Sequence, residues 1–141
     1  MRRLLVVLLV MVIAFASIST AYGQVPDMQI TPFFVSVSRY VNSFDIDESG
    51  NAAFTLKVKP FNTEQLTEVK AIVKIVNATT GVISYNRTLN LPYSELYAQY
   101  KVSDSCILNR PGIYEFQVTY KCYGNGVLLE TITANPQLDS F

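Results

Sequence analysis

Apolar and polar residues alternate strictly in two segments of this chain. Apolar side chains occupy every second position from Ala52 to Val58, and again from Tyr114 to Cys122. Because successive side chains of a β-strand point to opposite faces, this period of two predicts strands that each bury one face. Weaker runs of the same kind occupy five further segments: Phe33–Val41, Glu68–Val76, Val82–Leu91, Leu96–Val102 and Val127–Ala134. The pattern therefore predicts seven or eight short strands.

The predicted strands are separated by sequences that form turns. These sequences are rich in residues that accept turn conformations or positive φ angles: Asp47–Asn51, Asn77–Gly81, Asn109–Gly112 and Gly124–Gly126. A Gly-Asn-Gly sequence between two apolar runs, as at Gly124–Gly126, is typical of a tight hairpin. Short strands with turns at intervals of about 8–12 residues predict one all-β domain, an antiparallel β-sandwich.

The N-terminus has the three regions of a secretory signal peptide. Two arginines precede an unbroken apolar run, Leu4–Ala16, and small residues follow before a polar start. The apolar run is shorter than the roughly 20 residues that span a membrane, so we expect cleavage rather than retention as an anchor. We place the cleavage after Gly23, with Ala21 as the alternative. The prediction is a signal peptide over residues 1–23 and an exported β-sandwich domain over residues 24–141.

Composition removes several functional classes. The chain contains no histidine, which removes the usual general base, the middle member of a catalytic triad and the commonest zinc ligand. We therefore expect no enzymatic activity, no cofactor and no metal site.

The charge balance argues against nucleic acid as a partner. Acidic and basic residues number 11 each, and no basic cluster occurs along the sequence, so nucleic acid is not an expected partner. No segment after residue 23 is long and apolar enough to span a membrane.

An acidic segment, Asp45–Gly50, has the alternating oxygen donors and the glycine with which a calcium-binding loop begins. The bidentate glutamate expected six residues after the glycine is absent, because Leu56 occupies that position. Leu56 also belongs to the buried face of a predicted strand. The preferred interpretation is a polar hairpin turn without a metal.

Two Asn-x-Thr triplets, beginning at Asn77 and Asn86, are acceptor sites for N-linked glycans in an organism that glycosylates its exported proteins. Asn77 lies in a predicted turn and Asn86 on the polar face of a predicted strand, so both should be accessible.

Five tyrosines are candidates for a contact surface, because the strand pattern does not assign all of them to the core. Each is also an ordinary strand residue, since tyrosine has a high β-propensity. They are Tyr85, Tyr93, Tyr97, Tyr100 and Tyr123.

The segment Pro111–Val118, with the sequence Pro-Gly-Ile-Tyr-Glu-Phe-Gln-Val, resembles the start of the penultimate strand in immunoglobulin-like and fibronectin type III-like sandwiches. The resemblance implies a tyrosine at the corner whose hydroxyl bonds back to the backbone. Tyr114 matches this position, and Tyr120 is the alternative. The tryptophan of the antibody-domain core is absent, so the resemblance extends to the broad class of sandwich rather than to antibody domains.

The chain contains two cysteines, Cys106 and Cys122. An exported protein with two cysteines often forms one disulfide. Along the predicted strand that begins near Ile113, however, Cys122 lies about 30 Å beyond the turn that follows Cys106, whereas bridged Cα atoms lie about 5–6 Å apart. Three alternatives stay open: a Cys106–Cys122 disulfide, a buried thiol at Cys122, and an exposed Cys106 that pairs between chains.

These observations lead to three hypotheses for function. The first is a secreted or cell-surface module that binds an extracellular protein or glycan without enzymatic activity. The second is a structural subunit that forms oligomers by donating its N-terminal strand, Gln29–Val41, to a neighbour. In the third, the size, the signal and the late Pro-Gly-x-Tyr strand resemble MD-2-related lipid-recognition domains, which implies a lipid carrier. Two cysteines are fewer than that family carries.

Overall fold

A computed structural model of the chain describes residues 35–141. The predicted signal peptide and the first residues of the predicted N-terminal strand lie outside this range. Within it, the chain forms nine β-strands: β1 Val37–Ile46, β2 Asn51–Pro60, β3 Glu68–Asn77, β4 Ile83–Leu91, β5 Tyr93–Ser94, β6 Gln99–Ile107, β7 Ile113–Gly124, β8 Val127–Thr133 and β9 Gln137–Ser140. No helix that could cross a membrane occurs among these residues.

The nine strands form two antiparallel sheets. Sheet A has the order β1-β2-β6-β5, and sheet B has the order β4-β3-β7-β8, with β9 also paired to β7. β8 pairs with the second half of β7, and β9 pairs with the first half. The prediction of an all-β antiparallel sandwich is confirmed. Two short strands, β5 and β9, are added to the seven predicted runs.

The predicted strand Leu96–Val102 is displaced in the structure. Leu96 and Tyr97 lie in a turn, Ala98 has a positive φ of 48°, and β6 begins only at Gln99. The two apolar side chains before Ala98 imitate the start of a strand in the sequence, but the backbone turns there. The strand then continues to Ile107, beyond the predicted end.

The inward faces of the two sheets meet in one apolar core. Alternate residues of β2, β3 and β7 are buried, as the period of two predicted. Aromatic rings join the sheets: Phe44 of β1 stacks on Phe116 of β7 with ring centroids 4.7 Å apart, and Phe54 of β2 lies 5.1 Å from the same ring. Each fully buried large apolar side chain contributes about 1.5–3 kcal/mol, so this core is the main source of stability.

Hydroxyl groups of buried tyrosines form hydrogen bonds within the sandwich. The Tyr120 hydroxyl donates to the side-chain oxygen of Asn42, and the Tyr100 hydroxyl donates to the Leu66 carbonyl oxygen at 2.5 Å. Burial raises the pKa of both tyrosines, so both hydroxyls stay protonated and keep donating at neutral pH. Among residues 35–141, no buried side-chain nitrogen or oxygen lacks a hydrogen-bond partner.

A carboxylate joins the start of β1 to the opposite sheet. Glu130 of β8 accepts hydrogen bonds from the backbone N–H groups of Val35 and Ser36, at 2.9 and 3.2 Å, and from the Ser36 hydroxyl at 2.6 Å. Ser36 is itself buried. The N-terminal end of sheet A is therefore attached to the edge strand of sheet B.

Side chains of β9 cover the outer edge of β1. The Gln137 amide donates to the Asn42 carbonyl oxygen at 3.2 Å, and the Ile46 N–H donates to the Asp139 carboxylate at 2.7 Å. These bonds occupy backbone groups that an edge strand otherwise leaves unpaired. β1 is thus held on both sides within its own domain.

Replacing Glu130 by glutamine should loosen the start of β1. The amide keeps the shape of the side chain, but it removes the charge and turns an NH2 donor toward backbone N–H groups. We expect the free energy of unfolding to fall by about 1–3 kcal/mol, as measured by urea denaturation. The control is Glu95→Gln, at an exposed carboxylate before β6. An equal effect of the two substitutions would contradict the role given to Glu130.

Candidate interaction surface

Four basic side chains lie together on the outer face of sheet A. On β2, on β6 and on β1 from Arg39 onward, the odd-numbered residues point away from the core. This brings together the four residues that we call the basic face: Arg39, Lys57, Lys59 and Lys101. Lys57 and Lys101 are direct cross-strand neighbours, and so are Arg39 and Lys59. Given strand spacings of about 4.8 Å, the four charges occupy a patch of roughly 10 Å by 7 Å.

No acidic side chain within residues 35–141 forms an ion pair with the basic face. The ion pair found in this range joins Lys70 to Glu68, at 3.1 Å, on sheet B. Sheet B also opposes two lysines, Lys70 and Lys121, on neighbouring strands, but there Glu68 balances the pair. Lys57 and Lys101 have no such carboxylate. Like charges directly opposite each other destabilise a sheet, so the fold gains nothing from this arrangement.

An open cleft runs into the basic face beside the turn before β6. Its lining combines three basic residues with an aromatic ring, an amide and an aliphatic side chain: Arg39, Lys57, Lys59, Tyr97, Gln99 and Val41. The volume of the cleft is about 320 Å³. Tyr97 is 62% exposed, in the turn that ends at the positive φ of Ala98. Tyr97 therefore offers its ring to a partner at the edge of the basic face.

Hydroxyl side chains continue the same surface along the strands. The next row of cross-strand neighbours after Lys57 and Lys101 consists of Ser43, Thr55 and Ser103, which we call the hydroxyl row. The hydroxyls of Thr55 and Ser103 are hydrogen-bonded to each other at 2.8 Å. One row further along β1 lies an acidic residue, Asp45. The outer face of sheet A thus changes from basic, through hydroxyl-bearing, to acidic along its length.

The basic face is a cluster of the folded domain, and the sequence, along which no basic cluster occurs, did not predict it. Its members are spread over positions 39 to 101 and come together because β2 pairs with both β1 and β6. Alternation alone predicted that Lys57 and Lys59 share the polar face of one strand. It could not predict that β6, which comes four strands later in the chain, lies beside β2.

The two predicted glycan acceptors lie on sheet B, on the other side of the sandwich. Asn86 is exposed on β4, opposite Lys74 on β3. Asn77 is half-buried at the end of β3, and its side-chain oxygen accepts the N–H groups of Thr79 and Thr80 at 3.1 and 2.9 Å. Glycosylation of both residues stays a prediction. Sugars at these positions would leave the outer face of sheet A open.

The acidic segment Asp45–Gly50 contains the last two residues of β1, Asp45 and Ile46, and the turn that leads from β1 into β2. One carboxylate oxygen of Asp47 accepts the N–H groups of Ser49 and Asn51, each at 2.9 Å, and the Ser49 hydroxyl at 2.6 Å. These bonds, that of the Ser49 hydroxyl foremost, lower the pKa of Asp47. The carboxylate is engaged within the turn itself. Residues 35–141 contain no group of three or more side chains of the His, Cys, Asp and Glu types that could hold a metal ion.

Tyr114 lies at the start of β7, where the resemblance to immunoglobulin-like sandwiches implied a corner tyrosine. Its hydroxyl donates to the Arg110 carbonyl oxygen at 2.7 Å. Its ring is buried and stacks on that of Phe141, with centroids 6.3 Å apart. These contacts tie the turn after β6 to the first residues of β7. The alternative, Tyr120, contacts Asn42 instead.

Both cysteines are free thiols in the structure. Cys106 lies near the end of β6, opposite Ala52, and Cys122 lies near the end of β7, opposite Val69. Because β7 starts close to where β6 finishes, its length separates the two cysteines by roughly 30 Å. Of the alternatives left open by the sequence, the structure contains the buried thiol at Cys122 and no Cys106–Cys122 disulfide, and pairing of Cys106 between chains stays a prediction. Burial raises the pKa of both thiols, that of Cys122 to about 12.

The two thiols should differ in reactivity. At neutral pH, a chromogenic aryl disulfide should modify Cys106 in the folded protein and leave Cys122 unmodified, because Cys106 is partly exposed whereas Cys122 is fully buried. In a Cys106→Ser variant, the remaining thiol should react only after unfolding in denaturant. Rapid release of the chromophore by the folded Cys106→Ser variant would contradict the burial of Cys122.

Comparisons with known proteins do not assign this surface. No protein-family model matches the chain, and no curated protein matches it. The interpretation of the outer face of sheet A therefore rests on the strand register, the exposed side chains and the charges of the chain itself.

Proposed function

We propose that this protein is a non-enzymatic binding or adhesion module that acts outside the cytoplasm, secreted or at the cell surface, and that the basic face is its contact surface. The observation that carries the proposal is the set of basic cross-strand neighbours that form no ion pair with an acidic side chain of residues 35–141. Departures from favourable local arrangements concentrate at functional sites in natural proteins. The features of a signal peptide in residues 1–23 support export.

We also propose that the sandwich belongs to the immunoglobulin-like or fibronectin type III-like class. With β5 and β9 set aside as short additions, β2 lies beside β6, and β3, β7 and β8 follow one another, which is the strand order of that class. The bond from Tyr114 to Arg110 occurs where such sandwiches have their corner tyrosine. β4 pairs with β3 rather than joining sheet A, which differs from the constant-type immunoglobulin arrangement. The class concerns architecture and does not determine function.

The packing of β1 and of the core favours surface binding over strand donation and lipid carriage. The part of the predicted donor strand from Val37 to Val41 belongs to β1, which pairs with β2 and is covered by β9 on its outer edge. Between the sheets, the rings of Phe44 and Phe54 both pack against the ring of Phe116. These rings occupy space that an acyl chain between the sheets would need. The outer face of sheet A, by contrast, is open to a partner.

Binding at the basic face would be electrostatic. The guanidinium of Arg39 can donate two parallel hydrogen bonds to one anionic group, whereas the three lysines act as point charges. Salt screens the attraction between exposed charges and a partner, because the Debye length falls from about 10 Å at 0.1 M salt to about 3 Å at 1 M salt. We therefore expect a partner that presents carboxylate, sulfate or phosphate groups, whether extracellular protein or glycan.

Reversing two charges of the basic face should strongly weaken binding. We expect Lys57→Glu/Lys101→Glu to bind the insoluble extracellular material of its source organism at least about tenfold more weakly than the wild type, since two attractions become repulsions. The matched control is Lys70→Glu/Lys121→Glu, which reverses another cross-strand lysine pair with the same change in net charge. Co-sedimentation at low and high salt measures the binding.

Thermal unfolding of both double variants checks that each remains folded. A loss confined to Lys57→Glu/Lys101→Glu, together with weaker wild-type binding at high salt, supports the proposal. Wild-type binding by that variant, or an equal loss in the control, would show that the basic face is not the contact surface.

A further inference from the structure

We infer that the ligand of the basic face is an acidic polysaccharide, a chain of sugar units that carries carboxylate or sulfate groups. This inference rests on the proposed function and names the partner. Three features of the outer face of sheet A carry it. They are a flat array of positive charges, an exposed aromatic ring beside that array, and the hydroxyl row next to it.

The positive charges form a flat array rather than an enclosed pocket. The four residues of the basic face project from three paired strands, at spacings of about 5 Å across the strands and 7 Å along them. One small anion would contact one or two of these side chains. A polymer with repeated negative charges can contact all of them, and each contact raises the effective concentration of the next charge at its site.

Tyr97 supplies a stacking surface for a sugar ring. Its exposed side chain lines the same cleft as Arg39, Lys57 and Lys59. The face of an aromatic ring is electronegative, and the C–H groups on one face of a sugar ring are weakly positive, so the two surfaces attract each other. The amide of Gln99, in the same cleft, can both donate and accept hydrogen bonds. The cleft therefore fits the uncharged part of a sugar unit whose acidic group lies against the lysines.

The hydroxyl row extends the site along the strands. A protein hydroxyl both donates and accepts hydrogen bonds, and so does each hydroxyl of a sugar. The row lies about 7 Å from Lys57 and Lys101, so a polymer lying along β2 reaches it directly after the charges. Its short side chains allow the polymer to approach the sheet closely. Asp45, one row further, would repel an acidic ligand and so marks the end of the site.

Other anionic partners fit these features less well. A membrane surface is bound more firmly when apolar side chains insert between the lipids. Of the described side chains that line the cleft, however, Val41 alone is aliphatic, and it is 37% exposed. An acidic peptide or a nucleic acid would use the charges without needing the hydroxyl row. Binding of one of these partners as tightly as an acidic polysaccharide would contradict the inference.

The test compares the binding of defined polymers to the purified protein. Polygalacturonate and dextran sulfate represent acidic polysaccharides, and dextran is the neutral counterpart of dextran sulfate. Polyglutamate, double-stranded DNA and vesicles of anionic lipid represent the other partners. In isothermal titration at equal concentrations of negative charge, we expect at least one acidic polysaccharide to bind about tenfold more tightly than polyglutamate, DNA or vesicles. Dextran should not bind measurably.

Substitutions outside the charges test the sugar contacts separately. Tyr97→Ala and, independently, Thr55→Val/Ser103→Ala should weaken polysaccharide binding about three- to tenfold. Both should leave elution from a cation-exchange resin unchanged, because that elution depends on charge alone. The control for Tyr97 is Phe61→Ala, at an aromatic ring of similar exposure, 65%, that does not line the cleft.

Failure of this inference and failure of the proposed function give different results. If polyglutamate, DNA or vesicles bind as tightly as the polysaccharides, or if Tyr97→Ala and the hydroxyl variant bind like the wild type, the ligand is not a polysaccharide. The proposed function would still hold if Lys57→Glu/Lys101→Glu lost its binding to extracellular material. If that variant keeps its binding, the contact surface lies elsewhere and both proposals fail.

Discussion

The register of β2 between β1 and β6 is the constraint on which the rest of the structure depends. Because side chains alternate along a strand, a slip by one residue would expose Leu56 and Val58 and bury Lys57 and Lys59. Burying an unpaired charge costs several kcal/mol, and two such charges would offset much of the stability of a domain of this size. One register therefore fixes both the apolar core and the basic face on the opposite side of the sheet.

Polar contacts at the margins of the sandwich help to hold that register. Glu130 attaches the start of β1 to sheet B, Asp139 binds the backbone at its end, and the Tyr120 hydroxyl reaches Asn42 midway. β1 is thereby fixed along its length, and with it the position of Arg39 beside Lys59. A contact surface built on paired strands changes little on binding, so little ordering opposes the association. This rigidity suits a module that acts by contact.

Alternation was sufficient to predict β2 and β7, one strand in the middle of each sheet. β2 and β7 follow the period of two because each lies between two other strands and has one buried face. The pattern of apolar residues failed to predict the structure where a turn or the pairing of strands, rather than burial of side chains, determines the path of the backbone. Leu96 and Tyr97 look like the start of a strand but form a turn, and β9 pairs with β7 although its sequence shows no run of alternating apolar residues. The basic face could not be predicted, because no local pattern in the sequence indicates that β2 pairs with β6.

Chemical footprinting of lysines tests most directly whether the outer face of sheet A is the contact surface. The chain carries lysines on the outer faces of both sheets, so one acetylation experiment read by mass spectrometry contains its own control. With extracellular material or an acidic polysaccharide bound, we predict that the three lysines of the basic face are protected. The lysines of sheet B, Lys70, Lys74 and Lys121, should react as in the free protein. Protection of the sheet B lysines alone, or equal protection on both sheets, would contradict this assignment.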